Sequence, residues 1–579
     1  MEVDSLVVRV LPDEPAIDRE FDYIVPGRLL DAAPGPLQVG DIVRVDLKGR
    51  RVRGWVTEVG SSPPAGVTLA EVRKITGRGP PAPLMELAGW AAQNWLGPRP
   101  RFLRTASPER VVSDVSTQSR GTVELAALDG LSSEAFERGG AVVRLPPGQD
   151  EWPLVAAAAS RGRALILTPT LNHAQRLVLQ LRRAQVPTAL YPRDWALSAA
   201  GHVTVGARSA AWAPITNLDA VLVLDEHDEG YQEEAAPTWH ARSVALERAR
   251  RDGAAWVVAS PTPSLESLTS GVSLLTVGRA RERAGWPVVE VADRRGEDPT
   301  TSEWCSLELT RVLRSGKRVV CVLNRKGRAR LAFCHQCGEM ARHEEDGRAL
   351  GLDGDRLVDH EGADVRPAVC SHCASTRFRR AKLGVTGVAA ELEAVARRPV
   401  VEVSAQGDRL PAGADLYVGT EAVLHRVTET DVVAFIDLDQ ELLAPRYRAD
   451  EEAAALVVRA ARLVGPRDAG GRVLLQTRMP EHPVIDALRL ADPGRLARPA
   501  LEERRLLRQP PAWTWASVSG PAAGEFIERL GAPLGVEVAG TDDGRWRVRA
   551  EDRAALLDAL AAVERPSGRL RIAVDPLRL

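Results

Sequence analysis

The sequence predicts a multidomain α/β protein with a small β-rich N-terminal domain, two parallel α/β domains and a small α+β C-terminal domain. Its 579 residues correspond to several domains of ordinary size. Short apolar runs alternate with helical spacing through two regions, which is typical of parallel sheets with helical crossovers. Two C-x-x-C pairs interrupt the second region, at Cys334 and Cys337 and at Cys370 and Cys373.

The overall composition is that of an ordinary globular protein, with 44% hydrophobic and 27% charged residues. The formal net charge is −2, so any surface for a polyanion must be local. No apolar run approaches the ~18 residues of a membrane span. The N-terminus, with Glu2 and Asp4, lacks the features of a signal peptide. We therefore expect no membrane association and a cytoplasmic location.

The N-terminal domain is assigned to residues 1–104. Short alternating apolar segments from Leu6 to Val59, separated by turn residues, predict its β-rich character. Clusters of Pro and Gly bound a helix-like stretch from Leu84 to Trp95. Residues 105–150 are weakly patterned, and we interpret them as a linker or a reduced domain.

The first α/β domain is assigned to residues 151–275 and the second to residues 276–332 and 384–499. The cysteine module between the two parts of the second domain covers residues 333–383, and the C-terminal α+β domain covers residues 500–579. The apolar runs that predict strands are Ala164–Leu167, Val203–Val205, Ala220–Leu224, Trp256–Ala259, Arg318–Leu323, Pro399–Val403, Asp415–Val418, Val432–Ile436 and Arg472–Gln476.

The apolar strand before Asp225 and Glu226 ends in the way that a helicase strand ends at its ATP magnesium, so the two α/β domains are predicted to be helicase-like. The partner of such a site is the loop G-x-x-x-x-G-K-[ST], whose lysine reaches the β- and γ-phosphates. No lysine lies between Lys74 and Lys317, so this loop is absent from the first domain. Asp225 and Glu226 are kept as a degenerate nucleotide site, and binding of ATP and Mg²⁺ is left open. The alternative is an acidic loop that caps a strand.

The four paired cysteines predict a metal site. Each C-x-x-C pair can present two thiolates to one ion, and together they make a closed tetrahedral Cys₄ site of the structural zinc type. In a reducing compartment this spacing favours metal over disulfides. The other two cysteines, Cys305 and Cys321, are interpreted as core residues.

Several motifs in a fixed order resemble the PriA family, the primosomal proteins N′ that restart stalled replication forks. The resemblance covers nearly the whole chain. Its motifs are Phe21-Asp22-Tyr23-Ile24-Val25-Pro26, Val205-Gly206-Ala207-Arg208-Ser209-Ala210, Ser264-Leu265-Glu266-Ser267, Leu323-Asn324-Arg325-Lys326-Gly327, Leu475-Gln476-Thr477, Pro480-Glu481-His482-Pro483, Glu503-Arg504-Arg505, Pro510-Pro511 and Val574-Asp575-Pro576.

The motor motifs depart from this family, so the chain resembles a degenerate member that lacks the phosphate-loop lysine. Trp152-Pro153-Leu154-Val155 stands where the family has its phosphate loop. The acidic motif, Asp225-Glu226-His227-Asp228, is one residue shorter than the family's. The segment that resembles the arginine finger carries Arg459 and Arg462 out of register, and register is decisive for a group that must touch the transition state.

The resemblance implies a pocket for the 3′ end of a nascent DNA strand. It places Phe21 as a stacking face for the terminal base and Asp22 as the acceptor from the 3′-hydroxyl. Gly49 permits close approach of the backbone, and Arg73 supplies charge for a phosphate. The alternative for Phe21 is a core aromatic residue on a strand. Beside the pocket, a basic hairpin suits phosphate contact; its residues are Lys48, Arg50, Arg51 and Arg53. Two further basic clusters, at 325–330 and 377–382, flank the cysteine module.

The resemblance also bears on the metal content and on residues 105–150. The family has eight cysteines for two zinc ions, and this chain keeps the outer pairs. We therefore expect one structural Zn²⁺, with the second site lost. Whether His343, Asp346 and His360 hold a second ion is left open. Residues 105–150 look too short for the family's winged helix, so we interpret them as a linker or a reduced winged-helix region.

The function implied by the resemblance is that of a replication restart protein which binds branched or fork DNA and helps to assemble the primosome, without helicase activity. The family implies single-strand-binding protein and the replicative helicase loading machinery as partners, and we expect a monomer. Two alternatives remain. One is an active ATP-dependent 3′→5′ DNA helicase, and the other is a zinc-stabilised interaction protein that does not recognise DNA.

Overall fold

The computed structural model describes residues 6–33, 35–62, 68–115, 129–296, 304–323, 332–344, 350–359, 364–380, 385–404, 410–411, 413–541 and 544–577. The chain forms two compact units. The first contains Met1–Arg144, Glu151–Leu275 and Leu501–Leu579, and the second contains Leu145–Asp150 and Thr276–Ala500.

The N-terminal domain is a small β-barrel. Its elements are β1 (Leu6–Pro12), β2 (Phe21–Val25), α1 (Gly27–Asp31), β3 (Ile42–Leu47), β4 (Arg50–Val59), β5 (Ala70–Glu71) and β6 (Lys74–Gly77). The strand order is β5-β2-β1-β4-β3-β6. Strands β5 and β6 lie at opposite edges of the sheet but are joined by a connection of a few residues. This short connection brings the two edges together, so the sheet closes into a barrel. The interior is filled by short branched side chains: Val8, Val10, Tyr23, Val25, Leu37, Val43, Val45, Val56 and Val72.

The outer face of the barrel packs against two helices, α2 (Ala82–Asn94) and α3 (Arg99–Ala106). Leu11, Ile42 and Trp55 on this face belong to the same hydrophobic core as the buried residues of the two helices. The Trp55 indole N–H donates to Ser107 Oγ at 2.9 Å, which satisfies a polar group buried among apolar side chains. This core continues into the first α/β domain and the C-terminal domain.

The first α/β domain is a seven-stranded sheet of order β13-β7-β12-β11-β8-β10-β9. All five pairings among the strands from β7 through β12 are parallel. Helix α4 (Gly130–Glu137) precedes the elements, which are β7 (Gly140–Arg144), α5 (Trp152–Ala159), β8 (Ala164–Leu167), α6 (Leu171–Arg183), β9 (Thr188–Leu190), α7 (Trp195–Ala199), β10 (Val203–Gly206), β11 (Ala220–Leu224), α8 (Ala241–Asp252), β12 (Ala255–Ser260), α9 (Leu265–Leu268) and β13 (Ser273–Thr276).

Strand β7 lies within residues 105–150, which the sequence assigned to a linker or reduced winged-helix region. The sheet therefore begins before residue 151. The β7 sequence Gly-Ala-Val-Val-Arg is too short to show a period of its own, and its pairing with β12 makes it a strand. Residues 116–128 of the same segment lie outside the described residues.

The second α/β domain has a six-stranded parallel sheet of order β14-β24-β23-β15-β22-β21. The elements before the cysteine module are α10 (Arg279–Ala284), β14 (Val288–Asp293), α11 (Leu307–Leu313) and β15 (Val319–Val322). The module itself contains two small antiparallel sheets built from β16 (Ala332–Cys334), β17 (Gly351–Asp353), β18 (Arg356–Val358), β19 (Asp364–Pro367) and β20 (Phe378–Arg380).

The rest of this domain follows the module. Its elements are α12 (Val385–Ala396), β21 (Val401–Val403), β22 (Leu416–Gly419), α13 (Val423–Arg426), β23 (Val432–Phe435), α14 (Asp439–Leu442), α15 (Ala449–Val464), β24 (Arg472–Thr477), α16 (Pro483–Arg489) and α17 (Gly494–Leu506). Cys321 lies on the central strand β15, and both it and Cys305 are buried in the core, as expected from the sequence.

The C-terminal domain is an antiparallel sheet of order β26-β27-β25-β28 with two helices on one face. Its elements are β25 (Thr514–Ser519), α18 (Ala523–Leu530), β26 (Val536–Gly540), β27 (Trp546–Ala550), α19 (Arg553–Ala562) and β28 (Arg571–Val574). The predicted fold class is confirmed in each of its parts. Among the described residues, no helix combines the length and apolar character of a membrane span.

Candidate functional site

Phe21 lies at the mouth of the N-terminal barrel, where it begins β2. Its ring packs against the valine-rich interior but stays partly exposed. The guanidinium group of Arg19 lies 5.7 Å from the ring centroid, within the range of a cation–π contact. The ring therefore covers one end of the barrel core and keeps part of its surface exposed.

Asp22 points to the outer face of the barrel, because consecutive residues of a strand alternate between faces. Arg9 Nε donates to its Oδ1 atom at 3.2 Å, and Ser61 Oγ donates to the same oxygen at 2.9 Å. Among the described residues no hydrogen bond reaches Oδ2. One carboxylate oxygen is thus held in place while the other can accept from a ligand.

The closing seam of the barrel brings the predicted pocket segments to one side. Tyr23, two residues after Phe21, donates through its hydroxyl to the Asp46 carbonyl at 3.3 Å. Arg73 lies in the same region. Its backbone N–H donates to the Arg44 carbonyl at 2.8 Å, and its Nε donates to Asp46 Oδ2 at 2.7 Å. Arg73 therefore lies between the strands of Tyr23 and Asp46, and its charge is shared with the Asp46 carboxylate.

The turn that joins β3 to β4 consists of Lys48 and Gly49, at φ +48° and +76°. Leu47 and Arg50 pair across it, so this is a two-residue hairpin with both residues in the left-handed region, which favours glycine at the second position. Apart from its two neighbours in the chain, no described residue lies within 4 Å of the place where a Cβ of Gly49 would be. The turn leaves room for close approach, as the family resemblance implies.

Arg53, predicted to contact phosphate, makes contacts within the barrel domain. Its Nε donates to Asp13 Oδ2 at 2.9 Å, and its guanidinium group lies 5.2 Å from the Trp55 ring centroid. Arg104 Nε donates to the other oxygen of Asp13 at 2.6 Å. The ion pair ties β4 to the loop after β1 and balances the charge of Arg53.

The other members of the basic hairpin differ in how far they are compensated. Arg51 lies 3.9 Å from Asp46, a loose contact for a side chain that is 67% exposed. Lys48 and Arg50 are exposed, and neither has an ion pair or hydrogen bond from its side chain to a described residue. The charge available at the turn is therefore carried by Lys48 and Arg50.

In the first α/β domain, the carboxylate of Glu226 is buried and engaged on both oxygens. Oε1 accepts from the Ser264 backbone N–H at 2.7 Å. Oε2 accepts from the hydroxyls of Ser264 and Ser267, each at 2.9 Å, and pairs with Arg242. The preceding Asp225 is buried in the left-handed region at φ +49°. Both oxygens of Glu226 are thus engaged by side-chain or backbone groups of the same unit.

A carboxylate occupies the place of the phosphate loop. Residues 145–151 connect β7 to α5, and Glu151 precedes the first turn of that helix. Glu151 Oε1 contacts Nε2 of His173, and its Oε2 is buried without a hydrogen-bond partner among the described residues. Pro153 removes one of the N–H groups that a helix N-terminus can offer to an anion. The positive end of α5 is thus neutralised by the chain's own carboxylate.

The surroundings of this helix end are acidic. Tyr231 is fully buried and its hydroxyl donates to the Leu224 carbonyl at 2.6 Å. Burial, followed by the nearby charges of Asp225, Asp228 and Glu151, raises the pKa of Tyr231 well above its usual value. A nucleotide triphosphate placed here would meet several carboxylates and no lysine.

The two arginines that resemble the arginine finger are used within the second α/β domain. Both lie on α15. Arg459 is paired with Glu421, and Arg462 donates to the Pro147 carbonyl at 3.4 Å. The residues predicted to be out of register are therefore also engaged in contacts of the resting fold.

The four cysteines of the module lie close together at the ends of β16 and β20. Cys334 Sγ is 3.5 Å from Cys373 Sγ, and Cys337 Sγ is 3.6 Å from Cys370 Sγ. All four sulfur atoms lie within 4.8 Å of one another. A tetrahedral zinc with bonds of about 2.3 Å requires sulfur atoms about 3.8 Å apart, so the arrangement fits this ion.

The electrostatics of the cluster favour the thiolate form at Cys334. Burial opposes ionisation of Cys334, but the backbone N–H groups of Cys337 and Gln336 and the neighbouring thiols outweigh it and lower its pKa to about 6. For Cys337 the contacts with the other three sulfur atoms raise the pKa to about 12, against a hydrogen bond from the Glu339 backbone. The surroundings thus favour the thiolate, the form that binds a metal ion, at Cys334, and oppose it at Cys337.

Comparison with known proteins agrees with these geometries. Residues 9–108 match the family model of the 3′ DNA-binding domain of PriA. The replication restart protein PriA of Haemophilus influenzae is 27% identical over 348 residues, which cover 56% of this chain and 48% of the relative. The probable replication restart protein PriA of Mycobacterium bovis is 29% identical over 571 residues, which cover 88% of this chain and 85% of the relative. The chain is thus similar to PriA proteins, over most of its length in the mycobacterial case.

The extent of the matches differs among PriA relatives. The chain spans about half the length of the Haemophilus protein, 48%, and most of the mycobacterial one, 85%. Among solved structures, the DExH-box NTPase HrpB of E. coli covers 62% of this chain, with 12% identity and a TM-score of 0.31.

Some of the predicted site residues lie outside the part of the chain that the structure describes. Asp346 and His360, named for a second metal, lie outside the described residues, as do the basic cluster at 325–330 and Lys382. Among the described residues, the four cysteines form the one group that could hold a metal ion. The second metal site therefore stays a prediction.

Several residues that contact the predicted site residues were not identified from the sequence. Arg9 and Ser61 hold Asp22, Arg242 neutralises Glu226, and Glu151 with His173 replaces the phosphate loop. Each partner lies 13 or more residues from the group that it contacts. No local pattern marks such pairs, although Glu151 directly before Trp152-Pro153 was visible as an acid at a helix start.

Proposed function

We propose that this PriA-like protein binds the 3′ end of the nascent strand at branched or fork DNA and supports primosome assembly in the cytoplasm without unwinding the duplex. The observation that carries the proposal is the contrast between two carboxylates. In a segment that matches a 3′ DNA-binding domain, Asp22 keeps one oxygen without a hydrogen bond from a described residue, whereas both oxygens of Glu226 are used by the protein itself.

The remaining parts of the proposal follow the family and the cysteine cluster. One structural zinc is assigned to Cys334, Cys337, Cys370 and Cys373, where it would hold the two small sheets of the module together. The protein acts as a monomer that contacts single-strand-binding protein and the machinery that loads the replicative helicase. The part of residues 105–150 that precedes α4 serves as a reduced connection in place of a full winged helix.

The purified protein is expected to bind fork DNA with the same affinity in the presence and absence of ATP, and to show no DNA-stimulated ATPase activity. The reason is that Glu151 occupies the phosphate-loop position and that no lysine is available to reach the phosphates. Fluorescence anisotropy with labelled forks and a phosphate-release assay in one buffer measure both quantities. Turnover near the ~1 s⁻¹ lower range of ordinary enzymes, persisting through successive columns, would establish the helicase alternative.

The 3′-end pocket predicts a preference for forks with a free 3′-hydroxyl over forks that end in a 3′-phosphate. A terminal phosphate would confront the Asp22 carboxylate. Loss of one base stack costs roughly 1–3 kcal/mol, so Phe21→Ala should weaken end-specific binding by about tenfold or more. Asp22→Asn should remove the discrimination between the two ends.

Glu58→Gln is the matched control for Asp22→Asn, because Glu58 is the other carboxylate that pairs with Arg9 on the same face. It should leave the end preference unchanged. Circular dichroism melting distinguishes a binding role of Phe21 from a purely structural one. A folded Phe21→Ala protein with unaltered end preference, or a wild-type protein that binds both ends equally, contradicts the pocket.

A further inference from the structure

A row of three basic side chains crosses the outer face of the barrel. Arg44 on β3 lies directly opposite Arg53 on β4 and, on its other side, opposite Lys74 on β6. Cross-strand partners point to the same face of a sheet and lie about 5 Å apart. Val43 and Ile75, the neighbours of Arg44 and Lys74 in sequence, face the barrel interior. Arg44 and Lys74 therefore face solvent side by side.

The members of this row differ in whether a carboxylate balances their charge. Arg53 is paired with Asp13, as described above. Arg44 and Lys74 are exposed, and neither side chain makes an ion pair or hydrogen bond with any described residue. Like charges directly opposite each other in a sheet are destabilising unless something compensates them. The pair of free cations is a cost to the fold that an external anion would relieve.

The row adjoins the proposed 3′-end pocket. The Arg44 carbonyl accepts from the Arg73 N–H at 2.8 Å, and Lys74 directly follows Arg73 in the chain. The two free cations of the hairpin turn, Lys48 and Arg50, belong to the same β3–β4 ribbon. A strand whose last nucleotide sits at the barrel mouth would pass over this surface with its phosphates.

We propose that Arg44 and Lys74, together with Lys48, form a phosphate strip that holds the sugar–phosphate backbone of the DNA strand whose 3′ end enters the pocket. This inference rests on the proposed function. It assigns the two central contacts to residues outside the predicted basic hairpin, and it removes Arg53 from the DNA-binding set. The strip contacts phosphates alone, so it adds affinity for any sequence, while end selection stays with Phe21 and Asp22.

The double variant Arg44→Ala/Lys74→Ala tests the strip in the full-length protein. Each lost phosphate contact lowers the slope of log K against log salt by about 0.7 to 0.9, so the slope should fall by about 1.5. Binding should be roughly 30-fold weaker at 0.1 M salt, the factor that this change of slope implies. The ratio of affinities for 3′-hydroxyl and 3′-phosphate forks should stay as in the wild type.

Arg53→Ala is the matched control, since it removes one positive charge from the same row. It should lower the melting temperature through loss of the Asp13 ion pair and leave the salt slope within the error of the wild type. A folded double variant with wild-type slope and affinity would overturn the strip, and so would an Arg53→Ala slope that falls as steeply. A wild-type protein without end preference, whose double variant nevertheless shows the reduced slope, supports the strip and rejects the 3′-end pocket.

Discussion

Replacement of Cys370 by serine is expected to release zinc and to unfold the cysteine module at residues 332–380. The module's core contains six buried residues among those described: Ala332, Ala341, Leu350, Leu352, Leu357 and Ala368. So small a core cannot compensate the entropy of ordering the chain. Structural zinc contributes about 10–16 kcal/mol of apparent binding energy in zinc-finger peptides, and this energy is folding energy. Loss of one of four ligands is therefore the most disruptive single change proposed for this protein.

Metal analysis after dialysis against a chelator should give one zinc per chain for the wild type and none for Cys370→Ser. Limited proteolysis should then cut within the module of the variant and spare the rest of the second α/β domain. Cys305→Ala serves as the control, because Cys305 belongs to the core of that domain and not to the cluster. It should keep its zinc. Two zinc ions per wild-type chain would mean that a second site exists, and a zinc-loaded, protease-resistant Cys370→Ser protein would mean that the cysteines are not the ligands.

Glu226→Gln is expected to destabilise the first unit strongly. The substitution leaves the buried Arg242 guanidinium without its counter-charge, while Ser264 and Ser267 lose their acceptor carboxylate. Breaking a buried ion pair by removal of one partner costs about 3–5 kcal/mol. In a working motor the same carboxylate would be free for the metal ion, and its neutralisation would cost activity with little effect on the fold.

Thermal unfolding followed by calorimetry should show a lower melting temperature for the transition of the first unit in Glu226→Gln. The double variant Glu226→Leu/Arg242→Leu should recover most of the loss, because it removes both charges together. Asp228→Asn is the control in the same acidic segment; Asp228 caps a short turn through the Gly230 N–H, and its substitution should cost about 1 kcal/mol or less. A Glu226→Gln protein as stable as the wild type would show that this carboxylate is available to a ligand.

The cysteine cluster and the 3′-end pocket were predicted from different kinds of sequence information. The cysteine cluster was predicted from its two C-x-x-C pairs, and the family resemblance accounted for the long interval between them. The pocket segments were identified by resemblance, and the structure brings Tyr23 and Asp46 together across the barrel seam. The loss of the phosphate-loop lysine needed only a residue count.

The charged groups were not predictable in the same way. Arg53 belongs to a dense basic run and was expected to bind phosphate, yet Asp13, 40 residues away, neutralises it. Arg44 and Lys74 are separated by 30 residues and become neighbours only through the register of β3 and β6. A sequence shows how many charges a segment carries, but whether each is compensated depends on partners that folding brings near it.

The sequence by itself determined the order of the domains, the α/β character of the two central regions, the four metal-site cysteines and the absence of the phosphate-loop lysine. These depend on local periodicity, spacing and composition, which need no knowledge of distant contacts. Only the tertiary structure decided that Arg242, Ser264 and Ser267 enclose Glu226. It also placed Glu151 and His173 at the start of α5. Finally, it brought Arg44 and Lys74 side by side with no ion pair to a described carboxylate. The physical reason is that electrostatic and hydrogen-bonding roles are set by neighbours within a few ångströms, and in a closed barrel or a parallel sheet most of those neighbours come from elsewhere in the chain.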